Sequence, residues 1–356
     1  MSRAKKMSTE LVHRVAVSYY KDRSKLGDIA NLYGLTRYEV GLALEEAEKS
    51  GIVTITITPP DQLRISFELE RELMRLFPHL THVHVTSRQD FLDQELASST
   101  AQFLNQRIWE FDRALSVKSD SSLKRARRTL GIGGGEGVAK SLALLKESLQ
   151  PPNTTWEADY YRVDLLPIVG CLPANGSTAY ENAILFSQSR MRDKLTSLID
   201  FTFPAFLSNE EQASLADNRL MKVFHKATAA VKWVVADIVP IHSGHIPWIT
   251  SSEAQPAVDA ENGLPVGHIS GCPYFGNGTP LPFEFQPIGL GLNRMRQLAT
   301  SISVSVCLIA TRSMNSYEYA EPNPWAVLGA LRGQYCNCLF INQVIAQDVI
   351  AAHGQT

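Results

Sequence analysis

The sequence predicts an α/β protein in two parts: a winged helix-turn-helix over residues 1–58, then a doubly wound, largely parallel α/β domain over residues 59–356. Three observations carry this prediction. The stretch LGDIANLYGLTRYEVGLALEEAEKSGIVTITI, Leu26 to Ile57, reads as a helix, a tight turn at Gly34, a second helix and a β-wing. Beyond Leu63, apolar strand-like runs alternate with helical patterns, which is how βαβ units in a parallel sheet read. In TLGIGGGEGVAKSLALL one such strand joins one such helix through a glycine-rich turn.

Residues 8–21 place Leu11, Val15 and Tyr19 on one stripe at helical spacing, with Val12 beside it, and predict a first helix. The second helix spans Leu26 to Tyr33, with Ile29 and Leu32 inward and Gly34 as its left-handed stop. Thr36 is the N-cap of the third, where Val40, Leu44 and Ala47 share a face and Gly51 ends the element. The alternation IVTITIT over Ile52–Thr58 predicts the wing strand, and Pro59-Pro60 marks the boundary. In the second part a short amphipathic segment (ISFELERELMRLF) precedes the strand HVHVT, and residues 92–111 read as a helix. Further strands are expected at DLLPIVG, DFTFPAFL, VKWVVADIVPI, FQPIGL, SVSVCLIAT and NCLFIN. Helices are expected at residues 178–196, 211–228, 291–300, 324–333 and 343–353.

The 356 residues suggest two or three units, and the 44% apolar fraction is ample for a core. Charge is nearly balanced, 34 basic against 36 acidic residues, so any nucleic-acid contact must be local. Five scattered cysteines argue against a disulfide framework. The first residues lack the apolar run of a secretion signal, and no segment offers eighteen uncharged apolar residues, so the expectation is a soluble cytoplasmic protein (nuclear in a eukaryotic source) without a membrane partner.

The basic charge sits where a helix-turn-helix would use it. Residues 1–25 hold seven Lys/Arg against two acids, and residues 26–58 two against five. Phosphate contacts are therefore assigned to Arg3, Lys5, Lys6, Arg14, Arg23 and Lys25, and base edges to Arg37 and Tyr38 at the tip of the third helix, with Thr36 and Gly41 in the same DNA-facing set. Glu45, Glu46 and Glu48 should face solvent.

The run Gly133, Gly134, Gly135, Glu136, Gly137 stands between strand and helix, where backbone amides and a helix N-terminus can hold an anion or a sugar oxygen. It matches neither the dinucleotide fingerprint nor the lysine-bearing phosphate loop. His79, His82, His84, His242 and His245 lack a Cys or carboxylate partner at metal-site spacing and read as edge-strand or surface residues, and Cys336 and Cys338 read as buried thiols. The basic run at 124–128 reads as a solvated loop. No nucleophile elbow, Ser/His/Asp pattern or paired-carboxylate signature is present. The expectation is a non-enzyme without metal or cofactor.

Together, AVSYYKDRSKLGDIANLYGLTRYEV with EEAEKSGIV, LGIGGGEGV, GLPVGHISGCPYF and VLGALRGQYCNCLFINQVIAQDVI resemble the SorC family of sugar-responsive transcriptional regulators. Members join an N-terminal helix-turn-helix to an effector domain of the phosphosugar isomerase/CoA transferase type, and bind operator DNA as dimers or tetramers. The resemblance implies a sugar or sugar-derivative effector held by Gly133 to Gly137, with His268 on a second wall of the pocket. Arg312 is the only cation near the position of the family's lysine. There are departures: Gly41-Leu42 replaces a Ser-Arg pair in the recognition helix, Glu136 and Gly137 replace a hydroxyl residue, and His268 replaces an aspartate. A carboxylate there weighs against phosphate and for a polyhydroxylated effector recognised through carboxylate and imidazole. Two alternatives stay open: a sugar-phosphate isomerase-like enzyme with Glu136 or His268 as base, and a sugar sensor that ignores DNA.

Overall fold

The computed structural model describes residues 7–53, 61–87, 93–116, 128–148, 163–170, 178–190, 196–199, 206–215, 217–241, 263–282, 285–311 and 323–355. The chain divides into two compact units, Met1–Pro60 and Asp61–Thr356.

The first unit contains α1 (Thr9–Ala16), continued by a π-helical turn over Val17–Lys21, then α2 (Leu26–Tyr33) and α3 (Arg37–Lys49). Val12, Val15, Ile29, Val40, Ala43 and Ala47 form its core. Gly34 closes α2 at φ 64°, the left-handed conformation that glycine takes without strain. Two inward assignments are corrected. Leu32 is 70% exposed, because α2 buries an arc of Ile29, Ala30 and Tyr33 and Leu32 lies roughly 110° from its centre at 100° per residue. Tyr19 is exposed and Ser18 buried, because the π turn, closed by Asp22 N–H to the Val17 carbonyl at 3.1 Å, inserts a residue and rotates the stripe. The Ser18 hydroxyl then bonds the Tyr33 hydroxyl at 3.0 Å. Most of the expected wing lies outside the described residues.

A capping box starts α3. The Glu39 N–H donates to Thr36 Oγ1 at 3.2 Å, and the Thr36 N–H donates to Glu39 Oε2 at 2.8 Å. Thr36→Ala removes one half of this exchange and is expected to cost about 1 kcal/mol. Urea unfolding of the full chain, followed by helical circular dichroism, checks this; an unmoved first transition would show the box to be dispensable.

The second unit opens with α4 (Asp61–Leu76), β1 (His82–Thr86), α5 (Gln94–Ser116), β2 (Arg128–Ile132), α6 (Glu136–Ser148), β3 (Val163–Pro167), α7 (Ala179–Arg190) and β4 (Thr196–Leu198). It continues with β5 (Phe206–Ser208), α8 (Asn209–Leu215), α9 (Arg219–Ala229), β6 (Val231–Pro240), β7 (Gly267–Ile269), β8 (Cys272–Tyr274) and β9 (Phe285–Pro287). It closes with α10 (Gly291–Ala299), β10 (Ser305–Ala310), α11 (Pro324–Arg332), β11 (Cys338–Asn342) and α12 (Gln343–His353).

The main sheet runs β1-β11-β10-β6-β2-β3-β4. Every pairing along this path is parallel. Its central strands are buried from end to end, as in SVCLIA and CLFIN, because helices cover both faces. Val234, Ala236 and Ile238 of β6 enter one core and Trp233 and Val235 the other, the two-residue alternation of a strand. The doubly wound expectation is met.

Three details depart from the sequence reading. Arg128 is no solvated loop residue: it opens β2 and is buried. The expected helix at 211–228 is two helices, α8 and α9, and the segment before HVHVT is a helix of four turns. The short hairpin β7–β8 is not signalled by the sequence pattern. Its corner, Ser270 at φ 46° and Gly271 at φ 82°, has the two positive φ values of a two-residue type I′ turn, built from Ser-Gly instead of the usual Asn-Gly.

Candidate functional site

From β2 the chain winds outward through β3 to β4, then returns on the other side of β2 with β6, β10 and β11. The winding direction therefore reverses between β2 and β6. In open α/β sheets the strand C-termini part at such a reversal and leave the crevice where ligands bind. The loop Gly133–Gly137 leaves the C-terminal end of β2 at this place.

The loop is held from three sides. The Gly133 N–H donates to the Val235 carbonyl at 2.8 Å. The Asn182 side-chain amide on α7 donates to the carbonyls of Gly133 and Gly135, both at 3.2 Å. The Gly134 N–H donates to Ser270 Oγ at 3.4 Å, which ties the loop to the corner of the β7–β8 hairpin. Close packing requires the glycines: a Cβ on Gly133 would lie 2.6 Å from the Ala236 Cβ, and one on Gly137 would lie 2.6 Å from Thr311 Cγ2.

Asp237, near the end of β6, occupies the centre. Its carboxyl accepts the Gly137 N–H at 2.8 Å through Oδ2, and the Val138 amide supports it too. It thus caps α6 from a distant strand, as an N-cap side chain does locally. Burial, reinforced by the charges of Asp93 and Glu136, pushes Asp237 up to about 8 against these amide contacts, so the carboxyl holds its proton well above the usual carboxylate range. Among the described residues, Asp237 Oδ1 and Asn182 Oδ1 are buried without a hydrogen-bond partner. Neither residue was singled out from sequence. Asp237 left one signal, a lone carboxylate in the apolar strand VKWVVADIVP.

Gly133, Gly134, Gly135 and Gly137 form the loop. Glu136 is exposed, and its carboxylate pairs with Lys140 one turn along α6 at 2.9 Å. His268 lies on β7 opposite Val239, two residues from Asp237 in strand register. Its Nδ1 accepts the Gly271 N–H at 3.3 Å, so the neutral ring carries its proton on Nε2, and burial pushes the imidazole down to about 3. Arg312 lies outside the described residues.

In the first unit, Arg23, Lys25, Arg37 and Tyr38 are exposed on the loop before α2 and the start of α3, while Lys5 and Lys6 lie outside the described residues. The Arg37 guanidinium lies across Gly27, where a Cβ would stand 3.2 Å from Nη2. Gly41 faces open space on α3, and the Thr36 hydroxyl is engaged in the capping box. Glu45, Glu46 and Glu48 are exposed as expected, and Glu48 accepts the Tyr20 hydroxyl at 2.7 Å.

Of the remaining singled-out groups, His242 and His245 lie outside the described residues, and three others pack as structural side chains. His82 stacks on Phe103 at 4.4 Å, with its imidazole pushed down to about 4 by burial. Cys336 and Cys338 are buried free thiols. Among the described residues no His/Cys/Asp/Glu cluster could hold a metal ion, and no helix is long and apolar enough to cross a membrane.

The chain thus combines an N-terminal unit of three short helices with a largely parallel α/β unit whose glycine loop lies at the switch point of the sheet. The chain is 24% identical over 346 residues to the sorbitol operon regulator of Klebsiella pneumoniae, covering 95% of this chain and 96% of that one. Its fold matches the crystal structure of the full-length sorbitol operon regulator SorC from Klebsiella pneumoniae, with TM-score 0.55 and 20% identity over 97% of this chain and 100% of the other. A transcriptional regulator from Streptococcus pneumoniae matches with TM-score 0.58 and 12% identity over 81% and 98%. A domain of a possible sugar-binding transcriptional regulator from Arthrobacter aurescens matches with TM-score 0.53 and 14% identity over 83% and 100%. No protein-family profile matches the chain. The SorC resemblance read from the sequence is thus met by a relative aligned along nearly the whole chain.

Proposed function

We propose that this protein is a sugar-responsive DNA-binding transcriptional regulator, acting as a homodimer or homotetramer. Residues 1–58 would serve as its DNA-binding domain and residues 59–356 as its effector and oligomerisation domain. The observation that carries this is the glycine loop at the β2/β6 switch point, in a chain whose first unit joins short helices through a turn at Gly34 and whose full-length relative is a sorbitol operon regulator. A sugar at the loop regulates only if it binds one arrangement of the oligomer better than the other, so operator affinity and effector affinity must be coupled reciprocally.

The two residues that the isomerase reading names as bases are poorly suited to that role. A base works best with a pKa near the working pH, whereas His268 is held far below it and Glu136 is turned to Lys140 on the surface.

Fluorescence anisotropy with the DNA upstream of the protein's own gene tests the proposal. Binding should weaken steeply with salt, and Lys25→Ala should lower the slope of log K against log salt by about 1. Arg37→Ala should relax discrimination between operator and random DNA by about 1–3 kcal/mol. A protein that ignores this DNA at low salt yet binds sugars would be the DNA-independent sensor.

A further inference from the structure

We propose that Asp237 and Asn182 form a subsite that accepts an uncharged polyol or sugar and rejects its phosphate ester, an assignment that rests on the sugar-sensor reading above. Two independent features carry it. First, three of the loop amides that would cradle phosphate are engaged by the chain itself. The Gly133 N–H is given to Val235, the Gly134 N–H to Ser270 and the Gly137 N–H to Asp237. A phosphate at the α6 N-terminus would have to displace a buried carboxyl, and would do so in the field of Asp93 and Glu136.

Second, the loop presents groups that ask for hydroxyls. Asn182 is 1% exposed. Its orientation is settled, since only the NH2 end can donate to two carbonyls, so its buried Oδ1 is purely an acceptor. Asp237, 2% exposed, presents an Oδ1 that lies 2.8 Å from the Cβ position of Gly137. Among the described residues neither oxygen has a partner, and leaving such atoms unmatched is costly. A hydroxyl both donates and accepts, so it satisfies Asn182 in its one state and Asp237 protonated or ionised. A dianionic phosphate has no proton to offer Asn182 and brings its charge into the field of Asp93 and Glu136. The chemistry therefore selects a hydroxyl at each oxygen.

The test uses the full chain in thermal-shift and calorimetric titrations with sorbitol, mannitol and glucose, each beside its 6-phosphate, and with inorganic phosphate. Wild type is expected to bind at least one uncharged compound about 100-fold more tightly than its phosphate. Asp237→Ala, which uncovers the α6 amides, should lose about tenfold or more in polyol affinity and gain a response to inorganic phosphate; one lost hydrogen bond is worth on the order of a decade. Asp237→Asn, the variant safer for folding, keeps an oxygen on those amides and should still ignore phosphate. Wild-type preference for the 6-phosphates would overturn the inference and leave the sugar-sensor reading standing, as would a folded Asp237→Ala that ignores phosphate. If no compound of either set shifts unfolding or releases DNA, the sensor reading itself falls.

Discussion

Gly135→Ala should unseat the β2–α6 loop, lowering the unfolding free energy of the α/β domain by about 3 kcal/mol or more and abolishing any ligand response. Gly135 sits at φ 119°, a conformation that costs an L-residue on the order of 1–3 kcal/mol. The added methyl would also overlap the Asp237 carboxyl, its nearest three contacts all being atoms of that side chain. Asp237 has little room to retreat: Oδ2 is bonded to Gly137, and its backbone N–H reaches the Gly134 carbonyl at 3.4 Å. Urea unfolding followed by tryptophan fluorescence reports the change, since Trp233 lies in the adjoining core. An unchanged midpoint would show that the loop can relax away from β6.

The second large effect is a pH dependence centred on Asp237. Its folded pKa is raised from 3.8 to about 8. Between those values the native protein holds a proton that the unfolded chain has lost, so stability declines as pH rises through this window, by up to about 1.4 kcal/mol per pH unit from this one group. Above about pH 8 both states are ionised and the decline stops. Asp93 and Glu136 raise this pKa, while the Gly137 and Val138 amides oppose them. Asp237→Asn mimics the neutral acid, keeps an acceptor for α6 and should flatten this component. The measurement is the difference in unfolding free energy between wild type and variant at several pH values from 5 to 9. Parallel curves would mean that Asp237 titrates normally.

What could be read from residue order is local. The Thr36–Glu39 box, the left-handed Gly34 and the apolar runs of β6, β10 and β11 each place their determinants within a few positions, so periodicity and cap chemistry sufficed. Leu32 and Tyr19 were misplaced even so, because an eight-residue helix buries a narrow arc and a single π turn shifts the stripe. Arg128 reads as part of a solvated basic run, yet pairing with Val163 in β3 carries it inside. The three-residue strands of the β7–β8 hairpin are too short for alternation to declare itself.

The site divides along the same line. Sequence alone determined that a glycine-rich turn joins a strand to a helix within an alternating α/β pattern, and that short helices joined at Gly34 precede it, since turn conformation and helix caps are properties of neighbouring residues. Only the tertiary structure decided what that turn holds. The carboxyl on α6 comes from 100 residues away and the amide that pins the loop from 49 and 47 residues away. Such partners are chosen by the order in which strands pair, and burial then sets the protonation of Asp237. The charge of the site is therefore a product of sheet topology, which no local pattern encodes.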